Sequence, residues 1–410
     1  MKQVLIILLF FYHHGVFGGI VEICKDCDVN DVSKAISVAN ECDTLILLGG
    51  KYYSEPILVD KSLVIIGKPE SEIVSASGLQ IITVVADYVS FSGVKFSGVK
   101  TNYLKENAAI RIKQGKYFEI ENNIFEDCFF SIYLEKSKYG IIRNNQINGS
   151  ATTEAESGNG IHAWYSSHLT IESNRITHQR DGIYFEFVDN SLIINNISIS
   201  NIRYGLHFMF SNDDEYRNNV FEGNGVGVAV MFSKKIKMID NAFIKNWGTS
   251  AYGLLLKEIN DAEIINNLFD DNTIGIFVEG SNRINYSNNT FSSNGWAFKF
   301  SGGCDSNDIT DNNFVNNSLD MMVSSSIQNN VIRGNYWSEY TGYDLNKDGV
   351  GDVPYYPVKL YSYILDQVPE SIVLMRSMFV DLVNYSEKVS PVFTPKDVID
   401  NSPKMSQVND

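Results

Sequence analysis

Residues 205–231 read GLHFMFSNDDEYRNNVFEGNGVGVAVM, and this stretch contains the sequence repeat that indicates the fold. It opens with a glycine and an alternating apolar run at Gly205, and the same arrangement starts again 22 residues later at Gly227. Asn219, followed two positions later by Phe221, lies between the two copies. Both elements recur along the chain at spacings of mostly 22 or 23 residues. The glycine-led copies start at Gly160, Gly182, Gly205, Gly227, Gly253, Gly275 and Ala297. The asparagine copies start at Asn123, Asn145, Asn174, Asn219, Asn241, Asn267, Asn289, Asn312 and Asn335, with a further copy near Asn195 and Asn196 that is ambiguous by one residue.

This period indicates a β-solenoid. A repeat of about 22 residues is too short for a helix pair and suits one coil of three short strands. The first and third residues after each glycine are apolar in every copy, and this alternation predicts that they point inward. The recurring asparagine is predicted at a corner, where it tolerates a left-handed backbone and hydrogen-bonds to stacked copies. We predict an all-β parallel β-helix of about eleven coils between roughly Val84 and Tyr340.

The ends of the chain differ from the middle. Residues 1–18 carry Lys2 and a short apolar run, which is typical of a signal peptide and predicts an exported protein. Residues 19–83 are predicted as an N-terminal cap with irregular first coils, and residues 84–353 as the β-helix. Residues 354–410 are predicted as a C-terminal helix, over Glu370–Val383, and a tail.

The charge balance excludes one class of partner. The chain of 410 residues has 33 basic and 49 acidic side chains, a net charge of −16, and no basic run. Binding to nucleic acid needs clustered Lys and Arg to neutralise phosphates. We therefore expect no nucleic-acid partner.

The same alternation predicts which side chains face outward from the glycine-led strands. A solvated face would carry Thr, Ser, Lys and Glu, but this one is aromatic and soft, which is typical of a recognition surface. It includes His162, Trp164, Tyr184, Glu186, His207, Met209, Met231 and Phe277. We assign the first four to partner binding.

Three of these residues have the chemistry of a Cu(I) site. His207 and Met209 lie two residues apart on one predicted strand face, and Met231 lies one coil further on. Thioether and imidazole are ligands that Cu(I) accepts, because the soft ion prefers sulfur. The alternative is that these side chains only pack under a loop or a partner.

A second candidate metal site lies near the end of the repeat. Asp344, Asn346, Asp348 and Asp352 occupy positions 1, 3, 5 and 9 of a calcium-loop pattern with Gly349 at position 6. The twelfth position is a tyrosine instead of Glu, so the motif is incomplete. Bound calcium and a cation-free acidic turn both remain open.

Cys24 and Cys27 are separated by two residues near the mature N-terminus. In an exported chain they could form a disulfide, remain thiols, or hold a soft metal ion. Cys128 and Cys304 stand at apolar or turn positions and are expected to be structural.

The predicted C-terminal helix has a wide apolar face, which favours either packing on the end of the β-helix or docking on a membrane protein. Ile372, Met375 and Phe379 are the residues assigned to this contact.

Two other classes of function remain open, a purely structural scaffold and a carbohydrate-active enzyme. Asp181 and Glu186, with Arg180 and His178, could supply acid–base chemistry for a polyuronate lyase or epimerase. The neighbouring column is apolar and soft instead of charged, which disfavours catalysis on a sugar.

Several stretches resemble the NosD family, from about Val29 to the tail. These are residues 180–187 (RDGIYFEF), 203–214 (RYGLHFMFSNDD), 227–231 (GVAVM), 246–248 (NWG), 252–257 (YGLLLK), 294–297 (NGWA), 335–340 (NYWSEY) and 351–355 (GDVPY).

The resemblance implies a right-handed parallel β-helix in the periplasm, with no enzymatic activity of its own. It implies an accessory protein of an ABC transporter, made of a permease and an ATPase, at the inner membrane. It further implies that copper passes from a copper lipoprotein chaperone to apo nitrous oxide reductase. On this basis the C-terminal helix is the expected permease contact, and His207, Met209 and Met231 are the expected transfer ligands.

Overall fold

The computed structural model describes residues 18–324, 329–375, 377–389 and 398–408. The predicted signal peptide, apart from Gly18, lies outside the described residues. The described chain is a parallel β-solenoid with short helical segments near its two ends. The predicted fold class is confirmed.

Three parallel sheets, here named A, B and C, run along the solenoid, and each coil contributes one strand to each sheet. The strands of sheet A are Ile20–Ile23, Asp43–Leu47, Leu63–Gly67, Ser90–Ser92, Glu119–Glu121, Ile141–Arg143, Thr170–Glu172, Leu192–Ile194, Glu215–Arg217, Lys237–Ile239, Asn260–Ile265, Asn282–Ser287, Asp308–Thr310 and Val331–Arg333. The strands of sheet B are Gly50–Ser54, Ser71–Ser75, Lys95–Ser97, Ile124–Glu126, Gln146–Asn148, Arg175–Thr177, Ile197–Ile199, Val220–Glu222, Ala242–Ile244, Leu268–Asp270, Thr290–Ser292, Asn313–Val315 and Tyr336–Trp337. The strands of sheet C are Ile57–Val59, Ile82–Val84, Ala108–Lys113, Phe130–Glu135, Asn159–Trp164, Asp181–Glu186, Tyr204–Met209, Val226–Met231, Leu254–Lys257, Ile274–Glu279, Trp296–Ser301 and Leu319–Val323.

The inward columns of sheet C form the core, as the alternation predicts. Residues one and three places after each glycine are almost completely buried: Ile161, Ala163, Ile183, Phe185, Leu206, Phe208, Val228, Val230, Leu254, Leu256, Ile276, Val278, Phe298 and Phe300. Burial of such side chains stabilises each coil by about 1.5–3 kcal/mol per large residue. The packed interior therefore fixes the strand register.

The coils begin earlier than the repeat indicates. Ile20–Ile23 pairs in parallel with Asp43–Leu47, which pairs in turn with Leu63–Gly67. The coils before Val84 alternate buried and partly exposed residues in the same way, but their connecting segments differ in length. These coils lie within residues 19–83, where the sequence predicts irregular first coils outside the fixed period.

The recurring asparagine hydrogen-bonds to its stacked copies, as predicted, but it is not the residue in the left-handed conformation. Asn219 is buried, and its Nδ2 donates to Oδ1 of Asn241 at 3.0 Å and to the carbonyl oxygen of Ile193 at 2.9 Å. The residue in the left-handed conformation is the preceding one, Asn218, with φ of 53°. The ladder residue is thus an internal hydrogen-bonding group. Its members are Asn123, Asn145, Asn174, Asn196, Asn219, Asn241, Asn267, Asn289, Asn312 and Asn335.

Helices cover the ends of the solenoid. Helix α1 spans Val32–Val38, with Asp31 accepting from the backbone N–H of Lys34. Near the other end, α2 spans Leu360–Gln367 and α3 spans Met378–Val389. No helix among the described residues has both the length and the apolar character needed to cross a bilayer.

The single helix predicted over Glu370–Val383 is wrong. A 3₁₀ segment, Pro369–Leu374, is followed by the separate helix α3. Ser377, a residue type favoured just before a helix, precedes Met378 and marks the new start.

The structure also shows which cysteines are paired. Cys24 and Cys27 form a disulfide, with Cα atoms 5.1 Å apart. Cys128 and Cys304 are buried free thiols, and Cys42 is exposed.

Candidate metal-binding groove

A groove of about 810 Å³ runs over the outer face of sheet C and is here called the sheet C groove. It contains most of the residues that the sequence singled out for the outer column. Its lining is Glu106, Arg111, Tyr133, Glu135, His162, Trp164, Arg180, Asp181, Tyr184, Glu186, Arg203, Tyr204, His207, Met209 and Met231.

Aromatic rings stack along the floor of the groove. The His162 ring lies 4.3 Å from Tyr133 and 4.7 Å from Tyr184, centroid to centroid, and the Tyr184 ring lies 5.1 Å from His207. His162 and His207 are consequently only 7% and 5% exposed. The expectation that this column faces solvent is wrong for the two histidines, because neighbouring rings cover them.

The two histidines differ in their hydrogen bonding. Nδ1 of His162 lies 3.0 Å from Nδ2 of Asn159, so this ring already has a partner. Both ring nitrogens of His207 are buried, and neither has a hydrogen-bond partner among the described residues. Burial lowers the pKa of His207 to about 4, assisted by the positive charges of Arg203 and Arg180. His207 is therefore neutral at pH 7 and retains a nitrogen lone pair for a ligand.

Met209 and Met231 are register partners on adjacent strands of sheet C. Their Cα atoms are separated by one strand spacing, about 4.8 Å, and both side chains are half-buried. His207 pairs with Ala229, whose small side chain occupies little of the next coil. Two thioethers and one unpartnered imidazole thus line the same part of the groove, which is a donor set suited to Cu(I).

Opposite charges border the methionine pair in the same column. Glu186 pairs with Met209 on one side, and Lys257 pairs with Met231 on the other. The Lys257 amino group lies 3.3 Å from a carboxylate oxygen of Glu279. Glu186 therefore places a negative charge beside Met209. The positive charge of Lys257 beside Met231 is partly neutralised by Glu279.

Asp181 is a buried carboxylate in the same groove. The Nε atoms of Arg180 and Arg203 lie 3.9 Å from its oxygens. Burial raises the pKa of Asp181 to about 6, and the two arginines limit that rise. The pKa of Asp181 thus lies close to neutral pH, although the main contacts of its carboxylate are structural ion pairs with the two arginines.

Sequence reasoning missed Tyr204 as a groove residue. Its ring lies 4.5 Å from that of His207, and the Arg203 guanidinium lies 4.9 Å from the Tyr204 ring. Tyr204 precedes Gly205 and therefore lies outside the alternating positions that follow each glycine. The Arg203-Tyr204 pair directly before Gly205 was the sequence feature that could have indicated this groove residue.

The C-terminal residues assigned to partner binding form a separate surface. Ile372 and Phe379 are exposed, whereas Met375 packs against the cluster of Leu319, Tyr361, Leu365 and Val380. Further exposed apolar side chains lie beside them: Val373, Leu374, Met378, Leu382 and Tyr385. The structure therefore divides the predicted contact into an exposed part and a packed part.

The structure does not support the calcium site. The carboxylate of Asp344 accepts from the backbone N–H groups of Lys347 and Gly349, and that of Asp352 accepts from Leu345. Asp348 accepts from the N–H of Val350 and from Nδ2 of Asn346. In the part of the chain that the structure describes, no three His, Cys, Asp or Glu side chains are grouped to hold a metal ion. The loop is stabilised by its own hydrogen bonds.

Comparison with known families bears on this region. Residues 146–342 match the family model described as NosD, periplasmic copper-binding protein. The chain carries a NosD domain. The NosD segment includes His207, Met209 and Met231, and the family resemblance predicted from the sequence is confirmed.

Two relatives of the NosD segment are named probable ABC transporter binding protein NosD. The protein from Stutzerimonas stutzeri is 35% identical over 106 residues, which cover 25% of this chain and 24% of that protein. The protein from Pseudomonas aeruginosa is 24% identical over 375 residues, which cover 88% of this chain and 87% of that protein. The stronger identity thus spans only about a quarter of its relative's length.

Solved structures share the architecture of this NosD-like chain. The catalytic domain of a GH87 alpha-1,3-glucanase has a TM-score of 0.54 and 12% identity, covering 80% of this chain and 68% of that one. A PL6 family alginate lyase has a TM-score of 0.53 and 13% identity, covering 80% of this chain and 52% of that one. At such identities the likeness shows the shared fold alone.

Proposed function

We propose that the chain is a periplasmic accessory protein that holds Cu(I) transiently during maturation of apo nitrous oxide reductase. It acts with an ABC transporter of permease and ATPase subunits at the inner membrane and receives copper from a lipoprotein chaperone. The observation that carries the proposal is the register pair Met209–Met231 beside the unpartnered His207, inside the segment that matches a copper-binding family. The names of the two relatives support a transporter partner.

The donor set suits transfer better than storage. Two thioethers and one imidazole give a three-coordinate Cu(I) site, which lets an incoming ligand replace them one at a time. Half-exposure of both methionines leaves access from the groove. Glu186, next to Met209, adds a negative charge that attracts the cation without being a soft ligand. The protein itself needs no bond-making step beyond ligand exchange.

Anaerobic Cu(I) titration against a chromogenic chelator tests this proposal. The wild type is expected to bind one ion in the groove, and the variant His207→Ala/Met209→Ala/Met231→Ala to lose it. The control Met405→Ala removes an exposed thioether elsewhere and leaves binding unchanged. Equal binding by the wild type and the triple variant would remove these residues as ligands.

A carbohydrate-active enzyme is the second candidate, favoured by the raised pKa of Asp181 in the groove. The geometry argues against a glycosidase pair. Asp181 and Glu186 lie five residues apart on one strand, roughly 16 Å between Cα atoms at about 3.3 Å per residue. Glycosidases hold their two carboxyl groups about 5–9.5 Å apart. Turnover of a polyuronate that is abolished in Asp181→Asn would favour the enzyme over the copper carrier.

A further inference from the structure

The Cys24–Cys27 disulfide lies far from the sheet C groove. Cys24 directly follows the first strand of sheet A, Ile20–Ile23, whereas the strand that follows Met209 in the chain is Glu215–Arg217. Eight strand spacings of about 4.8 Å separate these two strands in sheet A, roughly 38 Å in all. The disulfide and the groove therefore cannot share one ion.

Backbone hydrogen bonds also hold the turn that contains the disulfide. The backbone N–H of Cys27 donates to the carbonyl oxygen of Cys24, and the N–H of Cys24 donates to that of Val29, each at 3.3 Å. The cross-link also closes a loop of only four residues, the length at which it constrains the unfolded chain least. Reduction would thus leave the turn hydrogen-bonded and the two sulfurs close together.

Both cysteines are only partly buried, so the disulfide lies near the protein surface. Exposed disulfides between closely spaced cysteines are the labile ones, whereas structural disulfides resist reduction. Two thiolates on Cα atoms 5.1 Å apart provide the soft donors that Cu(I) prefers. We propose that Cys24 and Cys27 form a second copper site, which opens to Cu(I) when the disulfide is reduced.

The chemistry balances with one external reactant. A dithiol reductant gives two electrons and two protons to the disulfide, so that the S–S bond breaks, two thiols form, and the reductant becomes a disulfide. Cu(I) then replaces the two thiol protons, forming two Cu–S bonds without a change in its oxidation state. This site stands apart from the groove and does not depend on the groove binding copper.

The other cysteines provide controls. Cys42 is exposed and unpaired, so it reports on copper bound by any accessible thiol. Cys128 is buried, and burial raises the pKa of its thiol to about 12. It therefore stays protonated at pH 7 and is a poor ligand.

The test is an anaerobic Cu(I) titration of the purified protein, before and after reduction with dithiothreitol and removal of the reductant. Reduction is expected to add one equivalent of bound Cu(I). In Cys24→Ser/Cys27→Ser this gain is expected to disappear, while in Cys42→Ser it persists. The groove variant His207→Ala/Met209→Ala/Met231→Ala is expected to show the same gain from a lower starting stoichiometry.

Two results of the titration would overturn the proposal. One is equal copper binding by the oxidised and reduced wild type; the other is an added equivalent that survives in Cys24→Ser/Cys27→Ser. Circular dichroism of the reduced protein accompanies the titration, since an unchanged β spectrum shows that the turn tolerates reduction. Loss of that spectrum on reduction would assign the disulfide a structural role and would also overturn the proposal.

Discussion

Asp400 accepts a hydrogen bond from the indole Nε1 of Trp337 at 3.0 Å, across 63 residues of sequence. The same carboxylate accepts from the backbone N–H groups of Gly334 and Asn335 and from the side-chain amide of Asn335, at 3.0–3.2 Å. Asn335 is the last member of the asparagine ladder. The carboxylate of Asp400 thus caps the ladder at the end of the solenoid.

Removal of this cap should destabilise the protein. In Asp400→Ala, the buried N–H groups of Gly334, Asn335 and Trp337 lose their acceptor, and we expect the unfolding free energy to fall by about 3 kcal/mol. Asp400→Asn keeps one oxygen and should lose less. Urea denaturation measures both, with Asp308→Ala on an exposed side chain as the control. A loss in Asp400→Ala no larger than in the control would contradict the assigned role.

The interior of the asparagine ladder should be equally sensitive. Asn219→Ala removes the bonds to Asn241 and Ile193 and leaves their acceptors buried, which should cost about 1–3 kcal/mol. The adjacent change Asn218→Gly is its control, because Asn218 has φ of 53° and glycine adopts that conformation freely. Thermal unfolding of the two variants should separate them clearly. Similar losses would mean that the turn, and not the ladder, carries the stability.

Stability should fall in acid partly through His207. Because the folded protein lowers the pKa of His207 to about 4, the unfolded chain binds this proton more readily. The resulting stabilisation is complete above about pH 6.5 and is lost as the pH falls towards 4, by up to about 3 kcal/mol. Asp181 acts in the opposite sense, since the folded state raises its pKa to about 6.

A variant isolates the contribution of His207 from that of Asp181. His207→Phe should lose less stability than the wild type between pH 6.5 and 4, measured by urea unfolding at each pH. His168→Phe, at an exposed position, controls for the loss of an imidazole. Identical pH profiles for His207→Phe and the wild type would show that burial of His207 does not set the acid response.

The exposed apolar side chains near the C-terminus should matter for transporter binding and not for folding. Val373 and Met378 are 85% and 76% exposed, so Val373→Glu/Met378→Glu should change unfolding free energy by less than about 1 kcal/mol. Co-purification with the detergent-solubilised transporter is expected to fall at least tenfold. Leu345→Glu, 78% exposed in the acidic loop, is the matched control. Undiminished co-purification would place the transporter contact elsewhere.

Much of the fold was readable from the sequence, because an inward column such as Ile183, Leu206 and Val228 must be apolar in every coil. The pairing of Met209 with Met231 follows from the same period. Other features depend on information outside the repeat. Tyr184 covers His207 as its register partner in the outer column, whereas Tyr204, which also covers it, lies before the glycine and outside that column. The break before α3 lies inside a continuous apolar pattern, which does not mark it.

Because the solenoid is a stack of coils, its length can change only in steps of one coil. Four strands of sheet C follow Val226–Met231 before the helical end, ending with Leu319–Val323. Gain or loss of one whole coil in that interval would shift the C-terminal helices by one increment of about 4.8 Å while leaving the methionines in place. The number of coils therefore sets the distance between the methionine pair and the C-terminal helices.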